Sequence, residues 1–303
     1  HPTKAGGVLE ALAPITLCGR RLVTLPSALP RRSTIPSMPF ITLTTDFGTR
    51  QGSDTVLHGA IYNIAPDAVI TDLSHEVKPQ DIREANFVVN NSVFFFPPGT
   101  VHVIVVDPGV GTDRMPIAGR IGEHYFVAPD NGVLSACMAR AEAEGWTTEF
   151  VHVDKPEYWL PNVTMTFHGR DLFSPVGAHI VAGVALTDLG TPIDDLITIP
   201  LWGATRNDDG SVEGEVIYID DFGNALCSIL PDEIAHLPIP DGVEVELCGA
   251  RIQGMVRTFG DSEYDSDTLI ALWDSSGYLL VSENNGTGGK VIKPKPGDRV
   301  TVR

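Results

Sequence analysis

The chain has 303 residues, enough for two domains with buried cores, and its 43% hydrophobic and 20% charged content is ordinary for a globular protein. No stretch approaches the roughly 20 apolar residues that a membrane-spanning helix needs, so we expect no membrane partner. The formal net charge of −18 argues against a nucleic-acid partner and is compatible with a cationic small molecule.

The cysteine pattern bears on the cellular compartment of the protein. The four cysteines are scattered and form no CxxC pair, so they indicate neither a zinc site nor a disulfide framework, and we expect reduced thiols in a cytoplasmic setting.

Residues 1–37 carry five basic residues against the single acid Glu10 and show no clear periodicity. They suggest a leader, a disordered extension or read-through upstream of a start at Met38.

From Met38 onwards, strand and helix patterns alternate. The β-branched apolar runs predict strands at 40–45, 68–73, 101–106 and 125–128. Helical spacing of apolar residues predicts helices at 54–64, 81–93, 133–143 and about 172–186. This alternation predicts an α/β domain at 38–205 with a mostly parallel sheet.

The run from Val105 to Arg114 is the first candidate site. Residues 103–106 form an apolar strand, and Asp107 follows at its carboxyl end, the edge of an open α/β sheet where ligands bind. Gly109 and Gly111 let the chain turn sharply, so that Arg114 can come back to face Asp107. The alternative is an ordinary turn with a weak surface ion pair.

Other polar turns follow the predicted strands. Asp46-Phe47-Gly48 ends the first strand, and Asp130-Asn131-Gly132 follows the strand at 125–128. His168 comes just before the fourth helix, where it is either a site residue or a solvated capping residue. Asp171 suits the start of that helix, and Arg170 can pair with a neighbouring carboxylate.

The rhythm of the sequence changes near residue 206. After a polar linker at 207–210 come short strands separated by Gly, Asp and Pro turns, with little helix beyond a turn near 232–236. The strands are predicted at 212–219, 225–229, 243–248, 252–259, 268–273, 278–282 and 299–302. We therefore predict a smaller all-β, barrel-like domain at 206–303.

Two stretches of this second domain differ from ordinary turns. Asp220 to Asn224 combines acids, an aromatic ring and an amide, a set suited to a base and a polar head group. Trp273 to Tyr278 is followed by the glycine-rich stretch 284–289. The alternative for each is a plain hairpin loop.

Five motifs together carry a resemblance that covers about residues 40–303. In this order and spacing, the chain resembles the S-adenosylmethionine hydrolases, also called SAM hydroxide adenosyltransferases, which are related to fluorinases and chlorinases. The motifs are Thr45-Asp46-Phe47-Gly48, Asp107 to Thr112 with Arg114, Pro129-Asp130-Asn131-Gly132, Phe167 to Asp171, and Asp220 to Asn224.

The resemblance implies a fold, an assembly and an activity. It implies an N-terminal α/β domain, a C-terminal β-barrel-like domain that completes the substrate site, and a homotrimer with active sites between neighbouring subunits. The implied reaction is hydrolysis of S-adenosyl-L-methionine (SAM) to adenosine and L-methionine, with no cofactor and no metal.

The resemblance also assigns site residues. The catalytic set falls on Asp107, Arg114 and His168. Asp46 would hold the ribose hydroxyls, Phe222 and Asn224 would contact the adenine, and Asp220 and Ser275 would hold the methionine amino and carboxylate groups. The other expected substrate contacts are Phe47, Asp130, Asn131, Phe167 and Trp273.

Two departures from related sequences bear on the subclass. Fluorinases, as the resemblance is understood, carry Tyr in place of Asp107 and Tyr-Ser in place of His168-Gly169. A carboxylate at that position would repel a halide, so Asp107 favours water as nucleophile. Near the end, residues 282–289 replace a more apolar family motif, and Ser228 and Ser276 stand where relatives often carry other residues.

The expected chemistry is an in-line displacement. The sulfonium leaves as neutral methionine, so the enzyme needs only to place and activate a nucleophile in a dry site. We expect Asp107, Arg114 and His168 to orient one water, and His168 to accept its proton, because a carboxylate paired with arginine is a weak base.

Three alternatives remain open from the sequence. One is a chlorinase-like halogenase, and a second is a non-catalytic protein that binds SAM or adenosine. The third is a metal-dependent phosphoesterase built on Asp46, Asp107 and His168.

Overall fold

The computed structural model describes residues 40–260, 268–284 and 291–303. Contacts between Cα atoms divide them into two compact units, which we call the N-terminal unit, up to Gly203, and the C-terminal unit, from Ala204 to Arg303. The predicted leader at 1–37 and the glycine-rich residues 285–289 lie outside the described residues. No helix in the described part of the chain is both long and apolar enough to cross a membrane.

Seven strands form one sheet in the N-terminal unit. They are β1 Phe40–Thr45, β2 Val69–Ser74, β3 Val101–Val105, β4 Pro116–Ile121, β5 His124–Pro129, β6 Thr148–His152 and β7 Thr191–Ile193. The four predicted strands correspond to β1, β2, β3 and β5. Every residue of β3 is buried, as expected for an apolar strand covered on both faces.

The helices of the same unit lie between these strands. They are α1 Ser53–Tyr62, α2 Ile82–Ser92, α3 Ser135–Glu144, α4 Ser174–Val181 and α5 Leu186–Leu189. The first three match the predicted helices to within two residues at each end. Asp81 caps α2 by accepting a hydrogen bond from the backbone N–H of Glu84 at 2.9 Å.

The fourth predicted helix, 172–186, is wrong in its bounds. The helical segment begins earlier, as a π-helical turn at Gly169–Phe173, and continues as α4 only to Val181. Residues 182–185 then leave the helix, because they include a glycine, which is a poor helix former. The backbone N–H of Val184 bonds back to the carbonyl of His179 at 3.0 Å and closes the turn.

The sheet has the strand order β2-β1-β3-β5-β4-β6-β7. The first four of these strands run parallel, while β4, β6 and β7 each run antiparallel to their neighbours. The predicted mostly parallel sheet is confirmed, but the sequence did not predict β4, β6 or β7. Because β1, β3 and β5 are parallel, Asp46, Asp107 and Asp130 follow strand ends at one edge of the sheet.

Apolar side chains cover both faces of this sheet. Val103 and Val105 of β3 pack in one cluster with side chains of α1 and α4. Ile104 and Val106 face the other way, into a cluster with side chains of α2 and α3. The unit is therefore a three-layer sandwich in which the interior strand β3 leads to Asp107.

The C-terminal unit is an antiparallel β structure. Its strands are β8 Thr205–Arg206, β9 Val212–Ile219, β10 Ala225–Cys227, β11 Glu244–Leu247, β12 Ala250–Gln253, β13 Leu269–Trp273, β14 Leu279–Glu283 and β15 Arg299–Val302. Their order is β12-β11-β15-β9-β10-β14-β13, with β8 pairing to β9. The N–H of Val256, just after β12, donates to the carbonyl of Ala271 in β13 at 2.9 Å, so the sheet nearly closes into the predicted barrel.

Two predictions for this unit are wrong in detail. Residues 207–210 are not a linker but the hairpin turn between β8 and β9, in which Asp209 Oδ1 accepts the N–H of Ser211 at 3.0 Å. The strand predicted at 252–259 ends at Gln253. Beyond it, the N–H of Met255 bonds to the carbonyl of Pro240 at 2.9 Å, outside any strand pair.

Candidate active site

Asp107 is presented by the interior strand β3, two residues after its end. The side chain of Asn131, from the turn after β5, fixes the backbone beside it. Its Nδ2 donates to the carbonyl of Val106 at 2.9 Å, and its Oδ1 accepts the N–H of Val133 at 3.1 Å. Asn131, predicted as a substrate contact, therefore serves the fold here by holding the backbone next to Asp107.

The turn after Asp107 depends on two glycines. The N–H of Val110 donates to the carbonyl of Asp107 at 3.2 Å. A Cβ on Gly109 would lie 3.1 Å from Cγ of Arg114, so glycine leaves room for that side chain to fold back. Gly111 has φ of +78°, and a Cβ there would lie 2.4 Å from the carbonyl oxygen of Met165.

Arg114 joins Asp107 to His168. Its Nε donates to both carboxylate oxygens of Asp107 at 2.9 Å, and its Nη2 donates to Oδ2 of the same carboxylate. Nη2 also donates to Nδ1 of His168 at 2.8 Å. The structure thus brings together the three predicted catalytic residues, with the guanidinium in the centre.

This group is largely shielded from water. The side chains of Asp107 and Arg114 are 4% and 9% exposed, and His168 is buried. The guanidinium carbon of Arg114 lies 5.0 Å from the ring centre of Phe173, which is fully buried. The aromatic face stabilises the cation and fixes its plane, and no feature of the sequence predicted this contact.

The protonation state of His168 follows from these contacts. Arginine is a donor only, so Nδ1 of His168 is an acceptor and the hydrogen of a neutral ring lies on Nε2. Burial, together with the charge of Arg114, lowers the pKa of His168 below 6.5, although Asp107 and Asp171 act to raise it. At neutral pH the ring is therefore uncharged and presents an N–H at Nε2.

Asp171 positions the segment that carries His168. Its carboxylate accepts from Nε of Arg170 at 2.5 Å and from Oγ1 of Thr164 at 2.7 Å. Burial acts to raise the pKa of Asp171, but the hydrogen bonds from Arg170 and Thr164 outweigh it and hold that pKa below its usual value. The predicted pairing of Arg170 with a neighbouring carboxylate is confirmed, and the adjacent Arg-Asp pair was its sequence signal.

Asp46 and Phe47 lie in the turn after β1. Oδ2 of Asp46 accepts the backbone N–H of Gln80 at 2.7 Å, while the side chain stays partly exposed. The ring of Phe47 meets the ring of Phe167 edge to face, with 5.6 Å between centres. Because Phe167 precedes His168, this contact ties the turn after β1 to the segment that carries His168.

Asp130 is placed in the interior of the N-terminal unit. It is 2% exposed, and its Oδ1 accepts the backbone N–H of Ile197 at 2.8 Å. Burial raises the pKa of this carboxyl, against the lowering effect of the hydrogen bond from Ile197. Asp130, predicted as a substrate contact, therefore anchors the segment around residue 197.

In the C-terminal unit, Asp220 organises the turn between β9 and β10. Oδ1 accepts the N–H groups of Phe222 and Asn224 at 3.0 and 2.8 Å, and Oδ2 accepts Nδ2 of Asn224 at 2.7 Å. Oδ1 of Asn224 accepts the hydroxyl of Ser282 at 2.5 Å. Phe222, at the tip, is 77% exposed.

Trp273 and Ser275 lie elsewhere in the same unit. Trp273 ends β13, where it pairs with Leu279 of β14, and Ser275 belongs to the turn between these two strands. Asn224 meets β14 at Ser282, near its other end. Asp220 and Ser275, expected to hold the two ends of one methionine, are thus separated along β14 within one chain.

Comparisons with known proteins agree on one family. Residues 41–190 match the model of the SAM hydroxide adenosyltransferase N-terminal domain, and residues 214–301 match that of the C-terminal domain. An (R)-S-adenosyl-L-methionine hydrolase of Salinispora arenicola is 34% identical over 88% of this chain and 98% of its own length. A fluorinase of Actinopolyspora mzabensis is 25% identical over 88% of this chain and 97% of its own.

A solved structure extends this likeness to the fold. The crystal structure of an uncharacterized conserved protein from Thermotoga maritima is 33% identical to this chain, with a TM-score of 0.78. It covers 86% of this chain and 99% of its own.

Proposed function

The chain belongs to the SAM hydroxide adenosyltransferase family, and from this we propose that it hydrolyses S-adenosyl-L-methionine to adenosine and L-methionine. One observation carries the proposal beyond family membership. A buried carboxylate, Asp107, stands at the carboxyl end of the interior strand β3, held by Arg114 and joined through it to His168. This geometry suits the placing of one water molecule and no halide.

The reaction requires little acid catalysis. Water attacks ribose C5′ in line with the C5′–S bond, and the bond electrons pass to sulfur, so methionine leaves neutral. The attacking oxygen becomes strongly acidic as the C–O bond forms. A weak base held in place is therefore sufficient to accept its proton.

The contacts support a proton acceptor other than His168, the residue that the sequence suggested. Nδ1 of His168 already accepts from Arg114, and Nε2 of the neutral ring carries a hydrogen, so neither nitrogen offers a lone pair in this arrangement. We assign proton acceptance to Asp107. The Nε2–H of His168 donates to the water oxygen. The remaining lone pair of that oxygen is then directed at C5′.

Arg114 fixes the positions of the Asp107 and His168 side chains relative to each other. Its contacts use Nε and both hydrogens of Nη2 on Asp107 and His168. A metal ion shared by Asp107 and His168 would have to displace this guanidinium, which disfavours the phosphoesterase alternative. We propose that the hydrolysis needs no cofactor.

The remaining substrate contacts are proposals from the family resemblance. Asp46 is partly exposed at the strand edge and is assigned to the ribose hydroxyls, with Phe47 and Phe167 beside it. Phe222 and Asn224 are assigned to adenine, and Asp220, Trp273 and Ser275 to the rest of the substrate. Asp130 and Asn131 act through the fold.

We also propose a homotrimer with active sites between neighbouring subunits, in which residues 38–205 carry the catalytic groups and 206–303 complete the substrate site. The 77% exposure of Phe222 supports an arrangement in which another surface covers this ring. The negative net charge supports a protein without a nucleic-acid partner. Cys137, Cys227 and Cys248 are unpaired, which supports a cytoplasmic location.

The halogenase alternative has one supporting observation, the more distant fluorinase relatives. Product analysis separates the two reactions. The purified chain is incubated with SAM, with and without chloride or fluoride, and the nucleosides are resolved by chromatography. We expect adenosine and methionine at a rate that halide does not change; a 5′-halogenated nucleoside, or binding without turnover, would contradict the proposal.

A further inference from the structure

We propose that His58, Asp72 and His75 form a binding site for one late first-row divalent metal ion, with Zn²⁺ as its representative. Among the residues that the structure describes, this is the one group of three His, Cys, Asp or Glu side chains whose ligand atoms converge, all lying within 4.8 Å of one another. His58 comes from α1, Asp72 from β2, and His75 follows β2 directly. The proposal is independent of the proposed hydrolysis.

The ligand atoms meet at one carboxylate oxygen. Nε2 of His58 lies 2.7 Å from Oδ1 of Asp72, and Nε2 of His75 lies 3.0 Å from the same atom. The side chains of Asp72 and His58 are 40% and 25% exposed, whereas that of His75 is 3% exposed. An ion therefore has an entry path from solvent and a buried ligand on the far side.

The buried Nε2 of His75 lacks a well-aligned hydrogen-bond partner. This nitrogen is shielded from water, and its 3.0 Å contact with Oδ1 of Asp72 lacks the direction of a good hydrogen bond. A buried polar atom with a poorly aligned partner is costly, and in the tautomer with hydrogen on Nδ1 the Nε2 lone pair and the carboxylate repel each other unless a positive charge lies between them. A metal ion at this point satisfies both groups.

The other nitrogen of His75 is arranged as in metal sites. Nδ1 lies 2.9 Å from Oγ1 of Thr45, which is buried at the end of β1. A hydrogen bond from Nδ1–H to that oxygen would leave the Nε2 lone pair free for a ligand bond. Metal-binding histidines commonly have such a partner on their second nitrogen, and it fixes both tautomer and ring orientation.

The donor set selects the class of metal. Two imidazole nitrogens and one carboxylate suit Zn²⁺ and its neighbours, whereas Mg²⁺ and Ca²⁺ prefer oxygen ligands throughout. With metal–ligand bonds of about 2.0–2.1 Å, tetrahedral ligand atoms stand about 3.3 Å apart. The present contacts to Asp72 therefore need to open by a few tenths of an ångström, and water would fill the fourth position.

The metal site adjoins the turn after β1, which contains Asp46, a proposed substrate contact. The carbonyl of His75 accepts the N–H of Gly48 at 2.7 Å, and Oγ1 of Thr45 accepts the N–H of Phe47 at 3.2 Å. Both donors belong to the turn that contains Asp46. A bound ion would join α1 and β2 behind this turn and hold it in place, so its role is structural.

The test uses the untagged full-length chain, treated with a chelator and dialysed, then titrated with ZnCl₂ by calorimetry. The variants are His58→Ala and Asp72→Asn, and the matched control is His236→Ala, which removes an exposed histidine in the C-terminal unit. Thermal unfolding with and without Zn²⁺ and the absorption spectrum of the Co²⁺-loaded protein provide independent measurements.

We expect one Zn²⁺ per chain for the wild type and for His236→Ala, and at least tenfold weaker binding for both ligand variants. Zn²⁺ should raise the wild-type Tm and leave that of His58→Ala unchanged, since a ligand stabilises only the form that binds it. Co²⁺ should give the intense visible bands of a four-coordinate ion. Absence of Zn²⁺ binding to the wild type, or binding by His58→Ala or Asp72→Asn as tight as that of the wild type, would overturn the proposal.

Discussion

Arg114 is the residue on which the candidate site depends. Its planar guanidinium reaches two acceptors at once, the carboxylate of Asp107 and Nδ1 of His168, and packs on the ring of Phe173. A buried ion pair gains from such two-point contact because each donor direction is fixed. Arg114 therefore fixes both the position of Asp107 and the tautomer of His168.

Replacing Arg114 by lysine should show this dependence. A lysine ammonium keeps the charge but cannot reproduce the fork that contacts Asp107 and His168 together. We expect kcat to fall by about 10²–10³-fold with little change in KM, because an interaction that matters in the transition state is lost. Steady-state kinetics measure this, with Arg120→Lys, at an exposed ion pair with Glu149, as the matched control. Wild-type kcat in Arg114→Lys would contradict the assignment.

The neutral state of the His168 ring should be visible in the pH dependence of the reaction. Burial and the charge of Arg114 favour the neutral ring and keep its pKa below 6.5. Since the neutral form dominates above that pKa, kcat/KM should not change between neutral and mildly alkaline pH and should fall only in the acid range, where the ring gains a proton. Protonation would remove the acceptor for Arg114 and place two cations side by side.

An NMR titration of the histidine ring protons measures this pKa directly, with the signal of His168 assigned by its loss in His168→Asn. We expect a midpoint below 6.5, and a higher midpoint in Arg114→Gln, where a neighbouring positive charge is removed and Asp107 remains. A wild-type midpoint above 6.5 would show that the ring is charged near neutral pH.

The residues of the candidate site and of the proposed metal site differ in whether local sequence could predict them. The spacing of Asp107 and Arg114 across a Gly/Pro turn predicted their contact from local sequence alone. His168, 54 positions after Arg114, was assigned only through the family resemblance, because a single histidine before a helix carries no directional signal. His58, Asp72 and His75 were missed, since only the pairing of β2 with β1 and the packing of α1 bring them together.

At the scale of elements, the turn after β3 and the segment before α4 are built against each other. The carbonyl of Met165 passes so close to Gly111 that a Cβ would lie 2.4 Å away. Met165 is three residues from His168, and Gly111 is three residues from Arg114. This backbone contact therefore sets the distance between the segments that carry Arg114 and His168.

The substitution Gly111→Ala tests that contact. Alanine at φ of +78° costs about 1–2 kcal/mol of stability, and its methyl group would also displace the segment at Met165. We expect a lower Tm and a fall in kcat of at least tenfold, since a displacement of about 1 Å can cost 10²-fold.

The matched control is Gly99→Ala, before β3. Gly99 has φ of +86°, and no atom lies within 4 Å of an added Cβ. This variant carries the same backbone strain without the contact, so it should lose stability while keeping wild-type kcat. Equal kcat in the two variants would show that the contact at Met165 does not position the site.

Strands were predicted well where they are apolar and β-branched. The bounds of β1 were predicted correctly because this strand is apolar and β-branched and is buried after its first residue. Those of β9 were also predicted correctly, although its first half contains Glu213, Gly214 and Glu215 and is only partly buried. β4 begins with Pro116 and contains Gly119, and β7 has only three residues, so neither shows a strand pattern. Their place in the sheet comes from pairing with β5 and β6, which local sequence does not encode.

At the scale of the whole molecule, the two units differ in what sequence could predict. The alternation of strands and helices was sufficient for the three-layer N-terminal unit, and the short strands for the barrel-like C-terminal unit. The bonding of Asp130, Asn131 and Asn224 within the fold could not be predicted, because a polar residue in a turn suits a ligand or its own backbone equally.

The most direct test of hydrolysis at C5′ is the incubation with SAM carried out in H₂¹⁸O, followed by mass spectrometry of both products. We expect adenosine to acquire one ¹⁸O at its 5′ oxygen while methionine stays unlabelled, and Asp107→Asn to form labelled adenosine far more slowly. Unlabelled adenosine, label in methionine, or equal rates for Asp107→Asn and the wild type would contradict attack at C5′ by a water that Asp107 deprotonates.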